Sequence, residues 1–319
     1  MAFAILSSGG DAAGMNPAIK KFVDYTSKLN IEAYLIFDGL EGLIDNNIQK
    51  ATHEDVAGIV HRGGTIIRSS RSKRFFEANF RQQAYQNLVS HNINGLIILG
   101  GDGSFRAMEV FSKEFSINFV GIPSTIDNDI YGTEYCLGVD TALNVIRDAI
   151  DKIRDTASSF NRAFIVEVMG RDCGYLAVIS AMVSGAEICV IPERDFEREK
   201  LQKKLNLEIK NGRRYVLAVV SEGAKKTNEV YEWIQDSLGL ETRVSILGHI
   251  QRGGNPSVYD RLMAFDFVIH AVNQLQSSSN AKSVVVFNKG VFSFMDITEV
   301  TSNKYELPEH YLEALHYLD

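Results

Sequence analysis

Cysteine is scarce in this 319-residue chain: Cys136, Cys173 and Cys189 stand far apart, and no CxxC pair occurs. That spacing argues against both a zinc site and a disulfide scaffold. Long apolar runs are missing as well, since no stretch approaches the roughly 18 residues a membrane-spanning helix needs. The opening MAFAILSSGGD is too short and unflanked for a secretory signal and reads as a first strand, so the expected compartment is the cytoplasm. An excess of positive charge is also absent, with 33 Lys and Arg against 40 Asp and Glu and a net charge of -7. A general nucleic-acid surface is therefore not expected, although a local basic pocket is compatible with that balance. The single tryptophan, Trp233, lies in a helical pattern and reads as a packing residue.

What remains is an ordinary globular composition, 45% hydrophobic and 23% charged. The length suggests about two domains. Short apolar strands alternate with helical patterns, which predicts mostly parallel sheets covered on both faces. Asn16-Pro17 looks like a helix start with Asn as the cap. A strand over EAYLIF ends at Asp38 to Leu43, and His53 to His61 reads as helical. Thr141 to Arg154 is amphipathic, with Ala142, Ile146, Ala149 and Ile153 on one face and Asp148, Asp151 and Lys152 exposed. The tail is polar, with a last helix from Pro308.

Polar motifs fall where these strands end. The stretch PSTIDNDI, Pro123 to Ile130, follows an apolar strand and carries Asp127 and Asp129 two residues apart, with Thr125 upstream. An extended i, i+2 pair points to one side and suits a metal or a hydroxyl; the same residues also make an ordinary turn. SSGGDAAG after the first strand gives tight turning and close ligand approach, but its glycines match neither standard phosphate-loop spacing. GGDGS, Gly100 to Ser104, can offer backbone N–H groups to phosphate, with Asp102 able to hold Mg²⁺ directly or through water. Arg62, Arg68, Arg71, Lys73 and Arg74 cluster among glycines and serines, a composition that favours an anion-binding loop over a solvated face. A strand ends at Met169-Gly170-Arg171, another at Ser221-Glu222, and His249 and Arg252 sit in a glycine-rich turn with Arg243 just before it. That last grouping looks like half of a phosphate clamp.

Taken together, SGGD (Ser8 to Asp11), RGGT (Arg62 to Thr65), GGDGS, TIDNDI (Thr125 to Ile130), VEVMGR (Val166 to Arg171), SE (Ser221-Glu222) and GHIQRGG (Gly248 to Gly254) resemble the bacterial-type ATP-dependent 6-phosphofructokinases, in family order over residues 3 to about 300. The resemblance implies two Rossmann-like three-layer α/β/α domains with mostly parallel sheets and a cleft between them. The expected division is residues 1–137 with 251–300 for a larger domain binding ATP and Mg²⁺, and 138–250 with 301–319 for a smaller one binding the sugar phosphate. It also implies phosphoryl transfer from ATP to the 1-hydroxyl of fructose 6-phosphate, the committed step of glycolysis, in a homotetramer that shares active sites.

Carried over position by position, the resemblance makes Asp127 the catalytic base, with Thr125, Asp129 and Arg171 beside it in the catalytic set, and Asp102 the Mg²⁺ position. Gly10, Arg71, Ser72, Gly101, Asp102, Gly103 and Ser104 match ATP-binding positions. Thr125, Asp127, Met169, Gly170, Arg171, Glu222, His249 and Arg252 match substrate positions, while Arg162 and Arg243 match residues given to a neighbouring subunit. Lys20, Arg154, Gly185, Glu187 and Arg213 keep the character of the family's effector site.

Departures from the pattern carry information too. Pyrophosphate-dependent relatives commonly have Asp where this chain has Gly103 and Lys where it has Ser124, so ATP is the expected donor. Asp24, His53, Asn211 and Tyr215 replace basic or imidazole-bearing residues around the effector site, and Gly58 replaces an acidic one, so weak control by ADP and phosphoenolpyruvate is expected. A non-catalytic nucleotide sensor on the same fold is the rival from another class; it should have lost Asp127 or Asp102, and both are present.

Overall fold

A computed structural model describes residues 1–157 and 162–315. Positions 158–161 and 316–319 of the expected second domain lie outside the described residues. The chain divides into two compact units, Met1–Thr141 with Arg252–Tyr305, and Ala142–Gln251 with Glu306–Asp319.

In chain order the elements are β1 (Ala2–Ser7), α1 (Met15–Lys28), β2 (Glu32–Ile36), α2 (Gly39–Ile44), β3 (Ile48–Ala51), α3 (Ala78–Ser90), β4 (Gly95–Gly100), α4 (Asp102–Glu114) and β5 (Phe119–Pro123). α5 (Val139–Ala157) leads into β6 (Arg162–Val168), α6 (Tyr175–Ser184), β7 (Ile188–Val190), α7 (Arg198–Lys210), β8 (Val216–Ser221), α8 (Thr227–Leu238) and β9 (Glu241–Ile246). The chain then returns through α9 (Val258–Ser277), β10 (Lys282–Asn288), β11 (Val291–Asp296) and α10 (Ile297–Ser302), with α11 (Glu309–Leu315) last.

The first unit is built on a seven-stranded sheet of order β11-β10-β5-β4-β1-β2-β3. Its five central strands are parallel, and only the edge pairs β2/β3 and β10/β11 are antiparallel. Every residue of β1 and β4 is buried, which requires cover on both sheet faces. Phe3, Phe22, Phe105, Phe111, Phe119 and Phe267 fill that cover. The chain passes from β1 to β2 on one side and later places β4 on the other, so strand order reverses between β1 and β4. Open α/β sheets bind ligands at the strand ends beside such a reversal.

The second unit carries a four-stranded, wholly parallel sheet of order β7-β8-β6-β9. Ile165, Ile188, Val190, Val216, Ala218 and Val220 line its core, and Trp233 packs edge-on against Phe196 with ring centroids 5.0 Å apart. Both units are thus α/β with mostly parallel sheets, as the alternation of patterns predicts.

Several local expectations are corrected. The strand over EAYLIF does end before Asp38, at Ile36, but Asp38 to Leu43 is the entry to helix α2, reached through left-handed Asp38 and Gly39, because Leu40, Leu43 and Ile44 need a buried face. His53 to His61 holds only a short 3-10 turn, Glu54–Val56, which gives way to left-handed Gly58. On α5 the buried line runs through Ala142, Ile146 and Ile150, with Ala149 and Ile153 only half-buried. The polar tail contains a further strand, β11, and a helix, α10, before α11.

Candidate active site

Parallel pairing brings the strand-end motifs of the first unit side by side. Ser7 pairs with Leu99, and Gly100 with Pro123, so the segments after β1, β4 and β5 emerge on one sheet edge. They are then cross-linked. Ser8 N donates to Leu99 O at 2.8 Å, Ser124 N to Gly100 O at 2.9 Å, and the buried Ser104 hydroxyl to Ser8 O at 3.1 Å. A Cβ built on Gly101 would sit 3.5 Å from that of Thr125. Asp102 is the first residue of α4, so the Gly103 amide belongs to its opening turn, where helical N–H groups lack intrahelical partners, while Ser104 N already donates to Gly101 O at 3.0 Å. The Asp102 carboxylate is half-exposed and accepts from Arg106 Nε at 2.8 Å.

Asp127 is fully buried and Asp129 half-buried. The two are not an extended pair. Ile126 and Asp127 form a turn and Asn128 is left-handed, with φ 52°. Asparagine tolerates that region better than most residues, and here its side chain repays the conformation. Asn128 Nδ2 donates to Glu134 O at 3.1 Å, and Asn128 Oδ1 accepts from Cys136 N at 3.0 Å. Asp127 N donates to Thr125 Oγ1 at 3.3 Å, which keeps Thr125 beside the acid.

Asn16 is not a helix cap. α1 begins at Met15, and the buried Asn16 side chain donates to the carbonyls of Arg62 and Gly63 and accepts from Ile66 N at 2.7 Å. It thereby holds the RGGT loop, while Thr65 Oγ1 lies 2.9 Å from Ser7 Oγ. Farther along, Ser69 Oγ donates to Gly9 O at 2.6 Å and Gly9 N to Ser70 O, so Arg71 leaves the chain next to the glycine loop. Ser72 Oγ accepts from Phe75 N at 3.0 Å, within the short 3-10 turn Arg74–Phe76 that follows.

The basic run is divided by its partners. Arg68 grips Asp38 and Arg74 grips Glu41 and Asp45, and these contacts hold the Asp38 and Asp45 carboxyls below the usual carboxylate range. Arg71 is exposed and pairs with no carboxylate among the described residues. Arg252 Nη1 donates to Asp11 O at 3.3 Å, and its guanidinium lies where a Cβ on Gly10 would sit, so a larger residue at position 10 would displace the guanidinium.

In the second unit Met169, Gly170 and Arg171 follow β6, and Glu222 follows its neighbour β8. Met169 N donates to Gln251 Oε1 at 3.0 Å and Arg171 N to Glu222 Oε1 at 3.1 Å. Gly170 has φ 133°, and a Cβ there would strike the Cys173 carbonyl. Arg171 is left-handed, with φ 50°, and its side chain is exposed. His249 is exposed on the 3-10 turn that follows β9. Arg162 and Arg243 are not gathered with them. Arg162 opens β6, seven residues before Met169, or about 23 Å at 3.3 Å per residue. Both arginines converge on Glu241, Arg162 Nε at 2.8 Å, and Arg162 holds that carboxyl below its usual range.

Of the effector positions, Glu187 pairs with Arg213 and accepts from Leu217 N, and Arg213 also meets Glu208 at 2.7 Å. Glu208, Asn211, Arg213, Arg214 and Tyr215 line a cavity of about 530 Å³. Gly185 is the left-handed cap of α6, and Arg154 lies half-buried on α5. Lys20 is held by Asp24 at 2.8 Å, and Asp24 is also bonded to His53 Nδ1 at 2.6 Å. Burial pushes the Asp24 carboxyl up, but those two bonds outweigh it and leave it below the usual range.

The family model for phosphofructokinase matches residues 2–275. The chain belongs to the phosphofructokinase family. It is 57% identical over 313 residues to an ATP-dependent 6-phosphofructokinase of Sulfurimonas denitrificans, covering 98% of both chains. It is 56% identical over 309 residues to the enzyme of the same name from Wolinella succinogenes, covering 97% of this chain and 96% of the other. The solved structure of phosphofructokinase from Saccharomyces cerevisiae superposes with a TM-score of 0.90 at 30% identity, covering 99% of this chain and 46% of the yeast chain. This phosphofructokinase-family chain therefore spans about half the length of that yeast protein. One buried acid escaped the sequence reading: Asp260, whose signal was the S-x-x-D pattern opening α9, where Ser257 Oγ accepts from Asp260 N.

Proposed function

We propose that the chain is an ATP-dependent 6-phosphofructokinase, moving the γ-phosphoryl group of ATP to the 1-hydroxyl of D-fructose 6-phosphate to give fructose 1,6-bisphosphate and ADP. The single observation that carries the mechanism is a fully buried carboxylate, Asp127, on a turn pinned by Asn128 and set beside the Gly100 to Ser104 loop. A sugar hydroxyl attacking phosphorus needs a fixed carboxylate to orient it and take its proton, and Asp127 fills that role. Thr125 and Asp129 shape the same turn.

The Gly103 amide and the Ser104 hydroxyl at the start of α4, with Gly10, Gly101, Ser72 and Arg71, bind the nucleotide phosphates, because a helix N-terminus and an unpaired guanidinium both favour anions. Asp102 offers one hard oxygen donor, and among the described residues no cluster of three metal-ligating side chains occurs. That set fits Mg²⁺ that keeps several waters and shares its coordination with phosphates. Held at Asp102, such an ion would supply positive charge to offset that of the phosphates. Arg171 adds positive charge toward the transferred group.

Met169, Gly170, Glu222, His249 and Arg252 recognise the sugar phosphate. The distance of Arg162 and Arg243 from Met169 within one unit supports their giving charge to a neighbouring copy, hence a homotetramer with shared sites. ATP as donor is supported by Gly103, where an added Cβ would meet no protein atom: the fold does not demand glycine there, which leaves ligand clearance as the reason for it. Pairing of Lys20 with Asp24 supports weak control by ADP and phosphoenolpyruvate, and the chemistry suits a cytoplasmic enzyme.

Asp127→Ser tests the mechanism. Turnover falls by about two to four orders of magnitude while KM for both substrates stays close to the parent value. Near-parental turnover in a steady-state assay would remove Asp127 as the base.

A further inference from the structure

Asp260 is an acid for which the proposed chemistry has no use, yet it is fully buried on the first turn of α9. An uncompensated buried carboxylate is costly, so its partners matter. It accepts four hydrogen bonds from one short segment: Tyr135 Oη at 2.6 Å, Gly138 N at 2.6 Å, Thr141 N at 2.8 Å and Thr141 Oγ1 at 2.5 Å. Thr141 Oγ1 in turn accepts from Ser257 N at 3.0 Å. Burial pushes the Asp260 carboxyl above its usual range, and the Thr141 and Tyr135 bonds pull it back.

The clamped segment is the one that holds the base loop. Leu137 N donates to Pro123 O at 2.9 Å, Cys136 N to Asn128 Oδ1, and Asn128 Nδ2 to Glu134 O. Asp127 therefore sits on a turn whose outer wall, residues 134–137, is fixed at Tyr135 by Asp260. Asp260 meets that wall itself through the Tyr135 hydroxyl, and its three bonds to Gly138 and Thr141 anchor the chain just beyond it, while the left-handed Asn128 is bonded to the wall's Cys136 amide and Glu134 carbonyl.

We propose that Asp260 is a positioning residue for Asp127, setting the turn from which the base acts without touching substrate itself. This rests on the reading of Asp127 as base. A shift of about 1 Å in a reacting group can cost on the order of a hundredfold in rate, so the effect belongs in kcat.

The test uses purified full-length Asp260→Asn and Tyr135→Phe, each checked for a cooperative melt above the assay temperature. Asp260→Asn lowers kcat about ten- to hundredfold with KM for ATP and fructose 6-phosphate within about threefold, and Tyr135→Phe, which removes one of the four donors, lowers kcat less. A lowered Tm with parental kcat in both variants would make Asp260 a stability residue and overturn the proposal. Should Asp260→Asn not fold, parental kcat in Tyr135→Phe overturns it alone. In an Asp127→Ser background Asp260→Asn adds no further loss of kcat, because there is no base left to position; multiplied losses overturn the proposal. The base reading fails separately, through near-parental turnover of Asp127→Ser by itself.

Discussion

Charged and polar groups are handled in opposite ways by the two units. At the ends of β1, β4 and β5 the acid is buried, and its turn is fixed by neutral donors and acceptors: Asn128, backbone amides and the Thr125 hydroxyl. In the second unit Arg243 is exposed and Arg162 and Arg213 half-buried, and all three are held by carboxylates of their own chain, Arg162 and Arg243 by Glu241, and Arg213 by Glu187 and Glu208. The first arrangement sets geometry before any ligand arrives, which is what electrostatic preorganisation requires. The second keeps a strong charge paired, and for Arg162 and Arg243 on Glu241 an exchange of counter-ion costs little because exposed ion pairs contribute little.

The basic loop of the first unit contains both situations within a few residues, so it is the sharpest place to break the contrast. Arg71→Ala raises KM for ATP about ten- to a hundredfold, the size expected for charge-assisted hydrogen bonds, whereas Arg68→Ala, whose cation is committed to Asp38, changes it less than about twofold. Equal effects in initial-rate assays would show that local pairing does not decide which cation serves the ligand. A smaller effect follows from Glu241→Gln. Freed of their counter-ion, Arg162 and Arg243 lower KM for fructose 6-phosphate by up to about fivefold, with a steeper dependence on salt. A raised KM would mean that Glu241 aims the arginines instead of competing for them. Smallest is the response to effectors: with Lys20 held by Asp24, ADP and phosphoenolpyruvate change the rate less than about twofold. Strong inhibition by sub-millimolar phosphoenolpyruvate, relieved by ADP, would contradict that.

Much of this was legible in the chain, for a physical reason that also marks the limit. Strands buried on both faces, β1, β4, β5 and β8, are continuous apolar runs and announce themselves. β9 and β11 have mostly exposed or half-exposed residues, and their partner strands supply what their sequences do not, so ETRVSI and VFSFMD passed unread. Motifs at strand ends were found because each gathers glycines, acids, hydroxyls or cations within a few residues of an apolar run. Their supports were not, because Asn16 and Asp260 act across 46 or more residues of sequence. Asn16 also mimics a cap, and the local hydrogen-bonding habit of asparagine gives no hint that its partner is a distant loop. Likewise the acid pair reads as extended until Asn128 is seen to be left-handed.

The most direct measurement is the initial rate of phosphoryl transfer to fructose 6-phosphate by the purified chain with Mg²⁺ and either ATP or pyrophosphate, with the product's phosphate position read by phosphorus NMR. ATP should support turnover far faster than pyrophosphate and yield fructose 1,6-bisphosphate. A faster pyrophosphate reaction, or phosphate carried to another hydroxyl, would contradict the reading of Gly103, Ser124 and Asp127 on which the proposed function stands.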